Sequence, residues 1–247
     1  MKYTLSICPT TPAAAMSGWY ILNTYLQKKL DIAMHIEIYD DFESQRQAFK
    51  NGEIDFIYAN PYDATLLVRD LGFSALNKPN QSANEVVILC KSDSAIKSFT
   101  DLKPGLKIAT TNDPAINLVA MILLESVDID SSNSTQLDCS SFIIAAKQVL
   151  KGEADVAFLP KSIYDKLSAI IKDQLRSLIS SEISVIHHIF AASEKSQDIH
   201  QQISEALSEL AKDLTGQDIL NTIGIPSFSA MEQEEAEFMI DLMDTLK

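Results

Sequence analysis

The chain has 247 residues, a formal charge of −14 and 46% hydrophobic residues. This length allows one large domain or two lobes, and the composition is typical of a folded soluble protein. The negative charge disfavours direct binding to nucleic acid or to anionic membrane surfaces, because both repel an acidic protein. No segment reaches the roughly 18 consecutive apolar residues of a membrane-spanning helix, so we expect no direct membrane insertion.

The amino-terminal segment lacks the continuous apolar core of a secretory signal. We therefore expect either a cytoplasmic protein or a periplasmic protein whose leader has been removed. Three widely spaced cysteines, Cys8, Cys90 and Cys139, match no metal-binding pattern. We interpret them as buried, reduced thiols and expect no metal and no cofactor.

Short apolar runs alternate with helical patterns, which predicts an α/β fold with mainly parallel sheets. In chain order, the first part is predicted to contain strands at 3–8, 35–40 and 54–59 and helices at 18–30, 42–52 and 61–72. The remainder is predicted to contain strands at 86–91, 106–111 and 154–160, an extended run at 183–193, and helices at 98–105, 115–127, 140–152, 161–175, 198–214 and 231–246.

One sequence pattern occurs twice, as "FKNGEIDFIYANPYDA" (49–64) and as "LKGEADVAFLPKSIYD" (150–165). Each copy is predicted to be a helix, a Gly stop and a parallel strand, which indicates two similar lobes. Open α/β sheets bind ligands at the carboxyl ends of their strands, so the ligand is expected beyond each strand. Asp55 and Asp155 open the strands at the opposite end, where we expect them to hold the helix-to-strand corner.

The order of several segments resembles the phosphate/phosphite/phosphonate class of ABC-transporter periplasmic solute-binding proteins. The segments are "GWYILNTYLQKKL", "YDDFESQRQAFKNGEIDFIYANPYDA", "VVILCKSDSAIKSFTDLKPGLKIATTNDP", "AAKQVLKGEADVAFLPKSIYDKL" and "LNTIGIPSFSAMEQEEAEFM". The resemblance implies a type II periplasmic-binding-protein fold with two α/β lobes that close over a small solute. It also implies a first lobe of 1–85 and 193–247, a second lobe of 92–183, and hinge crossovers at 86–91 and 184–192.

The residues that bind phosphonate in this family are only partly present. Phosphonate binders carry a Ser-Thr-Ser run after an Asp-Pro at a helix amino terminus, whereas Asp113-Pro114 is followed here by Ala115-Ile116-Asn117. By the resemblance, Phe42 aligns with the family's cleft tyrosine. Phe142 falls near the sequence position of the family's histidine, and His187 falls near that of an acidic residue. Tyr58 and Asn60 match family positions at the cleft edge. We therefore expect a ligand that is less charged and more apolar than a phosphonate.

The expected ligand contacts combine hydroxyl, amide and aromatic side chains near the predicted strand ends. They are Thr10, Thr11, Phe42, Tyr58, Asn60, Tyr62, Thr110, Thr111, Asn112, Phe142, Ser162 and His187. Adjacent residues on an extended strand point to opposite faces, so at most one of His187 and His188 is expected to face the ligand. Trp19 lies on a helix stripe and is interpreted as a core residue.

The leading hypothesis is a non-catalytic, monomeric solute-binding protein with an ABC permease or a sensor protein as its partner. A cytoplasmic or sensor-linked domain is an open alternative, as is an enzyme resembling those of menaquinone synthesis that share this fold. No nucleophile, zinc or phosphate-loop motif supports the enzyme, and we expect no catalytic residue. A protein-interaction module that docks through the acidic carboxyl-terminal helix is a further alternative.

Overall fold

A computed structural model describes residues 2–246 of the protein. Contacts divide them into two units, and each is treated separately below. Unit 1 comprises residues 2–83 and His187–Thr245, and the main part of unit 2 is Asn84–Ile186.

The helices and strands alternate through most of the chain, as the apolar pattern predicts. The strands are β1 (Lys2–Ile7), β2 (Ala33–Glu37), β3 (Phe56–Ala59), β4 (Ser74–Pro79), β5 (Val86–Lys91), β6 (Lys107–Thr110), β7 (Thr135–Asp138), β8 (Val156–Pro160), β9 (Leu175–Ser180), β10 (Ile189–Ala192) and β11 (Phe228–Ala230). The α-helices are α1 (Met16–Leu30), α2 (Phe42–Lys50), α3 (Pro114–Glu125), α4 (Phe142–Lys151), α5 (Lys161–Lys166), α6 (Ala169–Lys172), α7 (His200–Ser208), α8 (Leu214–Ile223) and α9 (Gln233–Leu246). Short 3-10 helices and a π-helix at Leu66–Asp70 complete the connections.

Unit 1 contains a six-stranded sheet in the order β11-β4-β10-β3-β1-β2. Strands β2, β1 and β3 pair in parallel, whereas β10, β4 and β11 join in antiparallel pairs. Side chains alternate between the two faces: Phe56 and Tyr58 pack in one apolar cluster, while Ile57 and Ala59 pack in another. The sheet is therefore covered by hydrophobic side chains on both faces.

Unit 2 contains a five-stranded sheet in the order β7-β6-β8-β5-β9. Strands β7, β6 and β8 pair in parallel, and β5 pairs antiparallel with both β8 and β9. The residues from Val86 to Cys90 and from Val156 to Leu159 are fully or almost fully buried, so these central strands form the core of the unit. The α/β class is confirmed, with mixed strand directions in each sheet.

The segments predicted as crossovers are incorporated into sheets. Strand β5 pairs on both sides within unit 2, and β10 pairs on both sides within unit 1. The contact division accordingly falls at Ala83–Asn84 and at Ile186–His187, a few residues from the expected lobe boundaries. The hinge action of these segments stays a prediction.

The predicted helix at 161–175 is interrupted. Helix α5 ends before Leu167, whose extended backbone (φ −62°, ψ 144°) leaves the helical region, and α6 is only four residues long. Leu175 then begins β9, which pairs with β5 and forms the edge strand of the sheet.

The two copies of the repeated pattern form the same local structure. Helix α2 is followed by Gly52 at φ 70°, and α4 ends at Gly152 with φ 75°. This left-handed conformation favours glycine, because a side chain at positive φ is strained. The predicted Gly stops are therefore confirmed.

Asp55 and Asp155 have equivalent structural roles in the two units. The Oδ2 atom of Asp55 accepts a hydrogen bond from the Thr4 N–H at 2.8 Å, and that of Asp155 accepts one from the Lys107 N–H at 2.8 Å. Both carboxylates thus bind the beginning of a neighbouring parallel strand, at the end opposite to the expected ligand. The two residues are structural, as predicted, but they bond to an adjacent strand and not within their own helix-to-strand corner.

None of the helices within residues 2–246 is long and apolar enough to cross a membrane.

Candidate functional site

The carboxyl end of β3 in unit 1 carries a cluster of aromatic rings around Tyr58. The Tyr58 ring stacks on His188, with centroids 5.0 Å apart and planes inclined by 14°. The ring centroid of Trp19 lies 4.8 Å from that of Tyr58, and the Phe228 ring packs edge-on against Tyr58 with centroids 6.3 Å apart. Trp19 is 1% exposed, which confirms its interpretation as a core residue.

Burial determines the charge state of this cluster. Burial raises the pKa of Tyr58 well above its usual range, with a smaller contribution from the neighbouring Cys8, so its phenol stays neutral. Burial, with a smaller contribution from the nearby His187, lowers the pKa of His188 to about 4. At neutral pH the stacked pair therefore carries no charge.

The loop after β1 brings Thr10 close to the same strand end. The Cys8 N–H donates to the carbonyl oxygen of Tyr58 at 2.9 Å, and the Thr11 N–H donates back to the Cys8 carbonyl at 2.9 Å. The Thr10 hydroxyl lies 3.2 Å from the Cys8 sulfur. Both threonines are half-buried, so the loop is a compact turn that presents hydroxyl groups next to Tyr58.

The segment after β3 begins with an Asx turn. Asn60 is 1% exposed, and its side-chain oxygen accepts a hydrogen bond from the Tyr62 N–H at 3.0 Å. Pro61 follows at the first position of a 3-10 helix, where its missing N–H costs nothing. This turn fixes the half-buried Tyr62 beside the strand end.

An arginine that was not among the expected contacts lies beside Tyr62. Arg46 donates through Nε to Oδ1 of Asp63 at 2.6 Å, and its Cζ lies 5.5 Å from the Phe42 ring centroid and 5.4 Å from that of Tyr62. Phe42 is buried, and Asp63 is 3% exposed. The sequence did hold a signal for Arg46, because it lies four residues after Phe42 and hence on the same helix face.

His187 and His188 lie just before β10 in unit 1. His187 is buried, and its Nδ1 lies 3.1 Å from the carbonyl oxygen of His188. Burial lowers the pKa of His187 as well, and the positive charge of Lys78 contributes. The ring that stacks on Tyr58 is that of His188. The expected ligand contact of His187 stays a prediction.

In unit 2, the expected hydroxyl contacts bond to neighbouring protein groups. The Thr110 hydroxyl donates to Oδ1 of Asn117 at 2.5 Å, and Nδ2 of Asn117 donates to the Thr111 carbonyl at 2.8 Å. The Thr111 hydroxyl oxygen accepts from the Asp113 N–H at 3.3 Å. Asn117, which stands where phosphonate binders carry their third hydroxyl residue, thus ties the end of β6 to α3.

The amino terminus of α3 is capped by a side chain. Oδ1 of Asp113 accepts hydrogen bonds from the Ala115 N–H at 3.1 Å and from the Ile116 N–H at 3.2 Å. Free N–H groups at a helix amino terminus are an anion site, and here a carboxylate already occupies two of them.

The remaining expected residues of unit 2 differ in accessibility. Asn112 is exposed between β6 and α3, and Ser162 is exposed on α5. Phe142 is 7% exposed at the first position of α4, behind the capping Ser141. In unit 2 the structure therefore groups Thr110, Thr111 and Asn112, whereas Phe142 and Ser162 lie on separate elements.

Within residues 2–246, no group of three or more His, Cys, Asp or Glu side chains is arranged to hold a metal ion. The three cysteines are buried and unpaired by disulfides.

Comparison with solved structures shows the fold. PhnD1 from Prochlorococcus marinus, in complex with methylphosphonate, superposes with a TM-score of 0.83 at 12% identity, covering 99% of this chain and 97% of that one. XAC2383 from Xanthomonas citri, bound to ATP, gives 0.80 at 16% identity, with 99% and 97% covered. The periplasmic aliphatic sulphonate binding protein SsuA from Escherichia coli gives 0.68 at 13% identity, with 99% and 91% covered. The type II periplasmic-binding-protein fold is thereby confirmed.

No curated protein sequence matches the chain. A family model does match, over residues 5–236, and it describes the phosphonate periplasmic substrate-binding protein of ABC transporters. The match spans almost the whole chain. The chain belongs to the phosphonate periplasmic substrate-binding protein family of ABC transporters.

Proposed function

We propose that this protein is the non-catalytic solute-binding component of an ABC importer and that its ligand is not a phosphonate. We place its ligand contacts, in each unit separately, among the polar and aromatic groups at the carboxyl ends of the strands. The protein acts as a monomer in the periplasm and delivers its solute to a permease, in keeping with the family.

The observation that carries the non-phosphonate part is the replacement of the hydroxyl triplet by Ala115, Ile116 and Asn117 at the amino terminus of α3, since the preceding Asp113-Pro114 is shared with phosphonate binders. A desolvated phosphonate needs several charge-assisted hydrogen bonds, and each missing one costs about 1.5–3 kcal/mol. At this position two N–H groups bond to Asp113, and the hydroxyl triplet is replaced by Ala115, Ile116 and Asn117. The site therefore favours a solute with less charge.

The groups in unit 1 support an at least partly apolar solute. Tyr58, Tyr62 and Phe42 supply aromatic surface, and Thr10, Thr11 and Asn60 supply a few polar atoms. In unit 2, Thr110, Thr111 and Asn112 add polar atoms, and Phe142 and Ser162 are its outlying members of the proposed contact set. His187 of unit 1 completes that set. A mainly apolar lining with a few polar groups is typical of small-molecule sites.

A thermal-shift screen of small metabolites tests the proposal. A ligand present at 100 times its dissociation constant stabilises the folded state by about 2.7 kcal/mol, which raises the melting temperature measurably. Saturable stabilisation by a small solute, without turnover of that solute, is expected. Release of product from a stabilising solute would instead indicate an enzyme.

A further inference from the structure

Arg46 in unit 1 is held by three neighbours. Its guanidinium group lies between the rings of Phe42 and Tyr62, with Cζ 5.5 Å and 5.4 Å from their centroids. Nε donates to Asp63 at 2.6 Å, and the Arg46 side chain is 22% exposed. Aromatic faces and one ion pair thus fix the orientation of the guanidinium plane.

One donor atom of this group is unsatisfied. Nη2 of Arg46 is shielded from solvent and has no hydrogen-bond partner. Leaving a charged donor buried without an acceptor is unfavourable, and native structures rarely do so without a functional reason. Within residues 2–246, neither Asp63 nor any other residue supplies an acceptor to this atom.

Arg46 also lies at the strand end where this family of folds binds solutes. Gln45, the residue before it, donates through Nε2 to the Ile7 carbonyl at 2.9 Å and to the Ser6 hydroxyl at 2.8 Å. The first turns of α2 therefore cover the carboxyl end of β1. Tyr62, whose ring lies beside the guanidinium, is half-buried and not part of the closed core.

We propose that Arg46 is the anion anchor of the solute site and that the natural ligand carries a carboxylate. This inference rests on the proposed function. A carboxylate offers two acceptor oxygens to the free edge of a guanidinium group, which is the geometry that arginine recognises.

The charge balance around Arg46 favours a carboxylate over a phosphonate. Asp63 already contributes one negative charge to the guanidinium, so a dianion would leave the cluster strongly negative. The stacked pair of Tyr58 and His188 is neutral at physiological pH and adds no positive charge. A monoanion with an apolar body fits both this charge and the aromatic surroundings.

Matched acids and amides test the proposal by isothermal titration calorimetry. The probes are propionate, benzoate and phenylacetate, with propionamide, benzamide and phenylacetamide as neutral isosteres. The test variant is the double substitution Arg46→Gln with Asp63→Asn, which removes both charges so that no buried carboxylate is left unpaired. Arg69→Gln is the control, because Arg69 pairs with α9 on another part of unit 1.

At least one acid is expected to bind the native protein about 10-fold or more tightly than its amide. The double variant should bind that acid ~10- to 100-fold more weakly, whereas Arg69→Gln should leave its affinity unchanged. Asp63→Asn alone should retain or strengthen acid binding, because it leaves the guanidinium charge uncompensated. A purely structural ion pair would not produce this split between the single and double variants.

Two results would overturn the anchor: no preference of any acid over its amide, or full acid affinity in the folded double variant. Either result would still be compatible with the proposed solute-binding function, provided that the metabolite screen finds a ligand whose affinity does not depend on Arg46. A screen in which no solute stabilises the native protein would instead count against the proposed function.

Discussion

The imidazole ring of His188 lies flat against the phenol ring of Tyr58, with centroids 5.0 Å apart and planes inclined by 14°. The contact joins the segment before β10 to the end of β3, next to the proposed solute site. The His188 ring is neutral because of its burial, which is the main cause that lowers its pKa to about 4. Protonation therefore opposes this arrangement.

The stability of the folded protein should decrease between pH 6.5 and pH 4. The folded-state pKa of His188 is lower than its ordinary value of 6.5, so the unfolded chain binds the proton first as the pH falls. The contribution of neutral His188 to the free energy of unfolding is fully present above about pH 6.5. It amounts to at most about 3 kcal/mol, and the partial exposure of His188 reduces it. Urea unfolding at a series of pH values measures it.

His188→Phe is the matched control for this pH dependence, because it keeps an aromatic ring against Tyr58 and removes the titrating group. The variant should lose part of the decrease in stability between pH 6.5 and pH 4. His187, whose pKa burial also lowers, accounts for part of what remains. An identical pH dependence in the variant would show that the decrease arises elsewhere.

Substitution of the α3 cap should destabilise the protein. Asp113→Ala removes the acceptor of the Ala115 and Ile116 N–H groups and should lower the free energy of unfolding by about 1 kcal/mol. Asp113→Asn, which also caps helices well, should cost less. Equal stability of the Ala variant and the native protein in urea unfolding would contradict the assigned cap.

The repeated Asp residues should affect stability and leave ligand binding unchanged. Asp55→Ala deprives the Thr4 N–H of its acceptor and should cost about 1 kcal/mol of unfolding free energy. The equivalent Asp155→Ala should cost less, because Asp155 is exposed. Both residues lie at the opposite strand end from the proposed site, so a large loss of ligand affinity in either variant would contradict their structural role.

Trp19 should likewise act through packing. It is 1% exposed in the larger apolar cluster of unit 1, so Trp19→Ala should lower the unfolding free energy by about 3–5 kcal/mol. Trp19→Phe should cost less and should retain ligand affinity. Loss of binding in a stably folded Trp19→Phe protein would instead place the indole in contact with the solute.

The fold was largely predictable because its main elements carry strong local signals. Strands β3 and β8 are apolar runs that follow Gly stops, and these features are encoded over a few neighbouring residues. Strand β4 was not predicted because buried Asn77 interrupts its apolar pattern. The Asn77 amide donates to the Ser204 carbonyl and the Ser208 hydroxyl, partners that only the tertiary structure brings near.

Edge and short strands were missed for a related reason. Strand β7 has the mostly exposed sequence Thr-Gln-Leu-Asp, and β11 is only three residues long. Each exists because a neighbouring strand offers unpaired backbone groups, and no local pattern records that neighbour.

The proposed site was predictable only as a location. The strand ends and the missing hydroxyl triplet could be recognised in the sequence, whereas the unsatisfied Arg46 and the bonding of Asn117 to Thr110 depend on distances between segments. The contribution of each expected contact residue to binding stays a prediction.

Calorimetric titration with methylphosphonate tests the central claim most directly, with the best solute from the metabolite screen as the positive control. We predict saturable binding of that solute and no tight binding of methylphosphonate or phosphate, because Ala115, Ile116 and Asn117 replace the hydroxyl triplet that phosphonate binders carry. Tight methylphosphonate binding, with an affinity equal to or greater than that of the control solute, would contradict the account.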